Sequence, residues 1–271
     1  MTSGDHDRAR PGRPGLIDLC VPNAARTAEF LIGGTGHFAA DRAAARLIIG
    51  AAPVIARIPA QGRAFRRRTL RYLAAEAGIR QFLDIGQGLA PAGATHEVAW
   101  SVDPDCRVVY ADSDPLVLGQ TQALAGAAPA GAVSCVWGDL ADPEGIIKSA
   151  AAFLDLGLPA AVLLLSALAH VPAAAAAARA VSSLMAAVAP GSHLVIYHLA
   201  SDLDPALPAA ARQWNKTAAT PVTLRSGAEL LALTAGLDLV PPGVVPVTSW
   251  RPDGDAPASP VPVHGLVARK P

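Results

Sequence analysis

The sequence predicts an α/β fold in which a helical cap precedes a mostly parallel sheet with an antiparallel last strand. Three observations support this prediction. Short apolar segments alternate with helical segments from residue 79 onward, which is typical of right-handed βαβ units. The first apolar segment ends in an acid and enters a glycine turn, Gly86-Gln87-Gly88. Helical patterns, without strand patterns between them, fill residues 15–78.

The N-terminal part is expected to comprise a disordered tail at 1–14 and a helical cap at 15–78. The tail is polar and contains glycine and proline. Asn23 is suited to cap the first helix and Gly78 to end the last one. The three cap helices are predicted at 23–32, 39–51 and 59–77.

The remainder, 79–271, is predicted to be one ligand-binding domain with an insertion at 201–224. The alanine-rich segment 173–187 is expected to be helical because alanine has the highest helix propensity. A further helix is expected at 226–235. Parallel strands are predicted near 81–85, 107–111, 132–136, 161–166 and 193–198, and the last, antiparallel strands near 237–240 and 262–268.

Each of the first three predicted strands has a carboxylate near its C-terminal end: Asp84, Asp112 and Asp139. Ligands of open α/β sheets bind outside the carboxyl ends of the strands. Glycines at 86 and 88 allow a ligand to approach the backbone closely. Asp112 suits the hydroxyls of a ribose, and Asp139 an exocyclic amine, so the pattern indicates a nucleoside site.

The glycine turn favours S-adenosylmethionine over a dinucleotide as the ligand. A dinucleotide site requires a third glycine, where this chain has Pro91, and no second glycine turn of that kind follows. S-adenosylmethionine has no pyrophosphate and needs no phosphate-binding helix start, so its pocket is favoured over a nicotinamide site. Asp84 and the turn would then face its amino-acid end. Alternatively, Asp84 and Asp112 only cap helices, and Asp139 only forms a turn.

Several further motifs are distributed along the chain: Phe30-Leu31-Ile32-Gly33-Gly34, Arg63-Ala64-Phe65-Arg66-Arg67, Phe82-Leu83-Asp84-Ile85-Gly86, Arg107-Val108-Val109-Tyr110 and Trp250-Arg251-Pro252-Asp253. With these motifs the chain resembles a bacterial family of S-adenosylmethionine-dependent methyltransferases long catalogued as a domain of unknown function. The resemblance extends from about residue 16 to the C-terminus and implies a Rossmann-like class I methyltransferase fold with bound S-adenosylmethionine.

The chain departs from this family pattern at positions expected to line the pocket. The family usually has a lysine-aspartate-asparagine run where this chain has Thr35-Gly36-His37, an asparagine at Gly62 and an acid at Ala173. These differences indicate an altered substrate or altered chemistry.

The resemblance and the strand ends together give a set of candidate site residues. Arg63 is expected to pair with the carboxylate of the cofactor, and Leu140 to supply a backbone N–H and an apolar contact. Ser166, after the fourth strand, completes the cofactor set. The predicted cofactor-binding residues are Arg63, Asp84, Gly86, Gln87, Gly88, Asp112, Ser113, Asp139, Leu140 and Ser166.

The candidates for catalysis and acceptor binding lie elsewhere. His170 follows the fourth strand and could act as a general base, and His37 could contact the acceptor from the cap. Alternatively, His170 packs against the sheet and bonds a carbonyl. Phe38, His198 and Trp214 are the expected acceptor-binding residues. The histidine spacing shows no metal motif.

The composition is that of one globular domain without a charged partner. The chain has 271 residues, 52% of them apolar, which is enough for one substantial core. Its 22 basic and 22 acidic residues balance, so neither nucleic acid nor an anionic membrane is an expected partner. No transmembrane segment or signal peptide is evident. Three widely spaced cysteines indicate reduced thiols in a cytoplasmic protein.

We therefore predict methyl transfer from S-adenosylmethionine to an O, N or C nucleophile of a small molecule, of the kind met in secondary metabolism. Two alternatives stay open on the sequence. The same cofactor could promote a cyclisation or rearrangement without methyl transfer, or the protein could bind ligand without catalysis.

Overall fold

The computed structural model describes residues 18–89, 93–129, 131–254 and 259–271. The predicted tail at 1–14 and Pro91 lie outside these ranges. Within them, the helices are α1 Ala24–Leu31, α2 Ala39–Ala51, α3 Ile58–Arg71, α4 Thr95–Trp100, α5 Pro115–Ala127, α6 Pro143–Ala150, α7 Ala174–Ala187, α8 Leu207–Trp214 and α9 Gly227–Ala232. Short 3₁₀ turns occupy Pro53–Arg57, Ala167–His170 and Val247–Ser249, and a π-helical turn, Tyr72–Glu76, extends α3.

Eight strands form a single sheet. They are β1 Gln81–Ile85, β2 Arg107–Asp112, β3 Val133–Trp137, β4 Ala161–Leu165, β5 His193–Leu199, β6 Asp238–Leu239, β7 Val245–Pro246 and β8 Val263–Arg269. The order is β3-β2-β1-β4-β5-β8-β6, with β7 also paired to β8. Strands β1 to β5 are parallel, and β8 is antiparallel to β5, β6 and β7. The predicted fold class is confirmed.

The strand order explains where a ligand can enter. The chain moves outward from β1 through β2 to β3 on one side and then returns to place β4 and β5 on the other. This reversal at β1 creates a crevice beyond the carboxyl ends of β1 and β4, which is where open α/β sheets bind ligands.

Both faces of the sheet are buried, which explains the uninterrupted apolar runs of its strands. Neighbouring residues of β1 enter different cores: Phe82 belongs to the one that also contains Phe65 and Trp250, and Leu83 to the one that contains Leu184. The cap helix α3 thus packs on one face, and α7 packs on the other.

A buried ion pair joins the first two cap helices. Arg26 Nε on α1 lies 2.9 Å from Asp41 Oδ2 on α2, and both side chains are almost fully buried. Asp41 also accepts the backbone N–H groups of Asn23 and Phe38. Asn23 caps α1 as predicted, accepting from the Arg26 N–H at 3.1 Å, and its amide donates to Asp114 Oδ2 at 2.7 Å. The cap is thereby attached to the start of α5.

Candidate functional site

A cavity of about 440 Å³ lies at the carboxyl ends of the parallel strands. Its volume is within the range of small-molecule sites in proteins. Helices α1 and α8 and the turn between α2 and α3 form its other walls. Ten of the predicted site residues line it: Gly86, Gln87, Gly88, Asp112, Ser113, Asp139, Leu140, Ser166, His170 and Trp214.

The glycine turn after β1 lies close to Ala167, in the loop after β4. Gly86 has a φ of +70°, and a Cβ built there would lie 2.8 Å from the Cβ of Ala167. Gly88 has a φ of +67°. The Gln87 amide donates to Thr121 Oγ1 at 2.8 Å, whereas its buried Oε1 has no partner among the described residues. A side chain at 86 would therefore displace the loop after β4.

Asp84 is completely buried at the end of β1 and does not itself line the cavity. Its Oδ2 accepts the Thr95 hydroxyl at 2.5 Å, at the start of α4, while Oδ1 has no partner in the described part of the chain. Burial raises the pKa of Asp84, and the nearby charge of Arg66 lowers it in part. A buried carboxylate oxygen without a hydrogen-bond partner is costly.

Arg66 is a buried cation on α3 that the sequence reasoning missed. Its Nη1 is buried without a hydrogen-bond partner among the described residues. Burial raises the pKa of Tyr197, which lines the cavity, and the charge of Arg66 lowers it in part. The predicted Arg63 is only half-buried, and neither arginine lines the cavity. Helical spacing alone does not separate the two arginines; Arg66 shares a face with Gly62, where a Cβ would lie 2.9 Å from the Tyr197 ring.

Asp112 lies half-buried in the cavity wall after β2. Its Oδ1 accepts the Asp114 N–H at 2.9 Å, and burial raises its pKa to about 6. Asp114, rather than Asp112, caps α5 by accepting the N–H of Leu116. The helix-cap alternative for Asp112 is therefore wrong, whereas its contact with a ribose stays a prediction.

Asp139 has both a turn-forming and a cavity-lining position after β3. Its Oδ1 accepts the Ala141 N–H at 2.9 Å, and the side chain is exposed at the cavity wall. Leu140 beside it is buried and also lines the cavity. The hydrogen bond from the Ala141 N–H fixes the orientation of the Asp139 carboxylate, and its second oxygen, Oδ2, takes no part in this bond.

The loop after β4 presents His170 to the cavity. Ser166 begins it with a φ of +81° and donates its N–H to the Tyr197 carbonyl at 2.9 Å. His170 Nδ1 lies 3.1 Å from the Pro221 carbonyl. Because a carbonyl only accepts, Nδ1 carries the proton, and the neutral ring keeps a free lone pair on Nε2. Burial lowers the pKa of His170, which favours this neutral form.

The cap side of the cavity is mostly apolar, and Asn23 and Thr27 at α1 are its polar lining residues. Every acidic side chain of the lining, Asp112, Asp114 and Asp139, lies at the strand-end side. Trp214 is buried in the opposite wall and donates its indole N–H to the Thr220 carbonyl at 2.9 Å. The apolar wall consists of Leu31, Ile48, Ile55, Ile58, Leu207, Ala210, Trp214, Val222 and Leu224.

Besides Arg63 and Asp84, three further predicted residues lie outside the cavity lining. His37 Nδ1 lies 3.2 Å from Arg42 Nη1, and Phe38 is 38% exposed. His198 is fully buried and contacts Arg225, because alternate β5 residues face opposite sides and Tyr197 takes the cavity side. The prediction that His198 lines the acceptor pocket is therefore wrong in this structure. The roles of His37 and Phe38 stay predictions that require the 33–38 segment to move.

Two kinds of structural feature, a metal-binding cluster and a membrane-spanning helix, are absent from the described ranges. There, no group of three or more His, Cys, Asp or Glu side chains is arranged to hold a metal ion. Nor does any helix in the described ranges have the length and apolarity needed to cross a membrane.

Comparison with known proteins places this architecture among close relatives. The S-adenosyl methyltransferase family model matches residues 12–271. A candidate methyltransferase from Thermobifida fusca YX is 35% identical, with a TM-score of 0.87 over 93% of this chain and 96% of that chain. A DUF574 family protein from Streptomyces avermitilis MA-4680 is 34% identical, with a TM-score of 0.86 over 93% and 98%. No functionally curated protein matches the sequence.

Proposed function

Because the chain belongs to the S-adenosyl methyltransferase family, we propose that it methylates a small, uncharged and largely apolar acceptor, of the kind met in secondary metabolism. The family indicated by the sequence motifs is confirmed, and the protein is an S-adenosylmethionine-dependent methyltransferase. The acceptor class and the roles of individual residues are our proposal.

The observation that supports this proposal is that the two sides of the cavity differ in polarity. One side is bounded by the glycine turn and by the acids after β2 and β3, and the other by apolar side chains of the cap and α8. The apolar side has no charged lining residue with which to compensate the desolvation of an ionic acceptor. An uncharged acceptor loses much less on entering it.

The cofactor side fits S-adenosylmethionine on the evidence of its unpartnered atoms. Asp84 Oδ1 and Arg66 Nη1 belong to oppositely charged side chains that do not themselves line the cavity, and both atoms are buried without a hydrogen-bond partner in the described ranges. A carboxylate and an ammonium group, as in the amino-acid end of the cofactor, would supply both partners. We assign Arg66 to the carboxylate in place of Arg63, Asp112 to the ribose and Asp139 to the adenine.

In the proposed reaction, the protein positions the acceptor and removes its proton. When bound, S-adenosylmethionine supplies an electrophilic methyl group on a sulfonium. His170 Nε2, with its free lone pair, accepts the proton that an acceptor hydroxyl or amine must lose. Tyr197 lines the same space and can orient the acceptor through its hydroxyl. The apolar wall excludes water and holds the nucleophile in place.

A matched acceptor screen tests this assignment. The enzyme would be incubated with S-adenosylmethionine and pairs of aromatic alcohols or amines that differ only by a carboxylate or phosphate, followed by mass analysis. We expect products heavier by one methyl group from the uncharged members. Turnover only of the charged members would overturn the acceptor class. An isomerised substrate would instead indicate rearrangement chemistry, and cofactor binding without any turnover a non-catalytic protein.

Variants then separate the two sides of the cavity. Ile58→Glu on α3 should abolish turnover of the uncharged acceptor while S-adenosylhomocysteine binding stays within about twofold. His170→Gln should lower kcat by about 10²–10⁴-fold, the usual contribution of a general base. Full activity of the His170→Gln enzyme would remove His170 from the mechanism.

A further inference from the structure

Arg225 lies directly behind the loop that carries His170 and outside the cavity lining. Only 3% of its surface is exposed. Its Nη1 donates to the Leu168 carbonyl at 2.7 Å, and its Nη2 donates to the Val171 carbonyl. These two carbonyls flank His170 on either side, so one guanidinium holds both ends of the segment that presents the imidazole.

The surroundings of this guanidinium are unusual for a buried cation. Within the described ranges, no carboxylate lies within 4 Å of it, and its direct partners are carbonyls and an imidazole. Burial lowers the pKa of Arg225, and the charge of Glu229, which is not in contact with it, raises that pKa in part. Burying a cation without an anionic partner in direct contact is costly. An apolar residue would fill the same space at less cost, which indicates that the two-pronged geometry of arginine is what this position requires.

His198 fixes the guanidinium from the other side. Its Nδ1 donates to the Leu199 carbonyl at 2.9 Å, so its Nε2 accepts from Arg225 Nη1 at 2.8 Å. Burial lowers the pKa of His198 to about 4, and the ring therefore stays neutral and able to accept near neutral pH. This explains why a histidine that is absent from the cavity is buried beside it.

The same chain segment, residues 221–225, makes the remaining contacts to the His170 loop. The Thr223 N–H donates to the Ala169 carbonyl at 2.8 Å. In return, the His170 ring donates through Nδ1 to the Pro221 carbonyl at 3.1 Å. Backbone carbonyls of the His170 loop thus accept hydrogen bonds from residues 221–225, and the imidazole of His170 donates a hydrogen bond to the same segment.

We propose that Arg225 is a positioning residue that fixes the loop so that Nε2 of His170 faces the acceptor. The proposal rests on the role of His170 in the proposed function. Catalytic groups lose efficiency steeply with displacement, and a shift of about 1 Å can cost about 10²-fold in rate. Loss of Arg225 should therefore lower kcat by about 10–10²-fold and leave cofactor affinity within about twofold.

A test that needs no acceptor uses the His170 tautomer. Imidazole ¹⁵N spectra of the full-length protein with S-adenosylhomocysteine would be recorded for wild type, Arg225→Lys and Arg225→Met, with His170→Gln to assign the signal. We expect only the Nδ1–H tautomer in wild type and a mixture of tautomers in both variants. Arg212→Met, at an exposed position on α8, is the matched control and should resemble wild type.

The outcomes distinguish this inference from the proposed function. Retention of the pure Nδ1–H tautomer in Arg225→Lys or Arg225→Met would overturn the positioning role. If the methionine variant does not fold, the lysine variant decides, because lysine keeps the charge but lacks the planar fork with which Nη1 and Nη2 reach the two carbonyls. Full methylation activity of His170→Gln would refute the base role, while the tautomer spectra would still report on Arg225.

Discussion

Replacing Asp112 by asparagine should stabilise the unbound protein and at the same time weaken cofactor binding. Burial raises the pKa of Asp112 from 3.8 to about 6, so its ionised form destabilises the folded protein at neutral pH by up to about 3 kcal/mol. Asparagine removes the charge, and its Oδ1 can still accept the Asp114 N–H. We therefore expect a gain in unfolding free energy of as much as about 3 kcal/mol near pH 7.5.

Cofactor binding should change in the opposite direction. A charge-assisted hydrogen bond to a ribose hydroxyl contributes about 1.5–3 kcal/mol. The variant should accordingly bind S-adenosylhomocysteine roughly 10–150-fold more weakly, as measured by titration calorimetry. A catalytic group that destabilises the free protein is the expected signature of a site built for its ligand.

The stability gain should depend on pH in a defined direction. Because the folded-state pKa of Asp112 is higher than the unfolded one, the folded protein takes up the proton first as the pH falls. The penalty of the charge is thus complete above about pH 6 and disappears between about 6 and 3.8. Urea unfolding across this window should show the two proteins converging in stability at its acid end.

The matched control for this experiment is Asp139→Asn, since Asp139 also lines the cavity but is exposed. It should weaken S-adenosylhomocysteine binding without any gain in stability. An Asp112→Asn protein that is less stable than wild type near pH 7.5, or that binds S-adenosylhomocysteine equally well, would refute the reasoning.

Two further predictions concern the glycine turn and α3. Gly86→Ala should lower the unfolding free energy by about 1–3 kcal/mol and the affinity for S-adenosylhomocysteine at least tenfold, because residue 86 has a φ of +70° and a new Cβ would meet Ala167. The control is Gly50→Ala in α2, where the added Cβ would meet open space. This variant should be neutral or stabilising in the same denaturation assay. Arg66→Met should weaken S-adenosylhomocysteine binding at least tenfold and leave adenosine binding unchanged in calorimetry. Arg63→Met should affect neither ligand, and equal losses in both variants would contradict the assignment.

The sheet and the cofactor side of the cavity could be predicted because local patterns determine them. Strands buried on both faces appear as uninterrupted apolar runs, and the predicted segment 81–85 coincides with β1. The acids at strand ends fall at one edge whatever the details of packing. Asp112 and Asp139 therefore line the cavity as the sequence implied.

The remaining features depend on packing that the sequence does not show locally. The face of α3 that turns inward is decided by its contact with Tyr197, so Arg66 rather than Arg63 is buried. Both faces of β5 are apolar, and periodicity could not decide between Tyr197 and His198. Strand β6 lies within the predicted segment 237–240, whereas β7 lies outside every predicted strand. The two residues of β7 are too few for a pattern, and pairing with β8 alone defines it.

The two walls of the cavity have different evolutionary freedom. Short turns anchored in the sheet form the cofactor wall, and a change such as a side chain at Gly86 disturbs the loop after β4 as well. The opposite wall consists of side chains on α2, α3 and α8, where Ile48, Ile58 or Leu207 can be exchanged for other apolar residues without altering a turn. Gene duplicates of such an enzyme can therefore diverge in acceptor by a few helix substitutions while inheriting the same methyl donor.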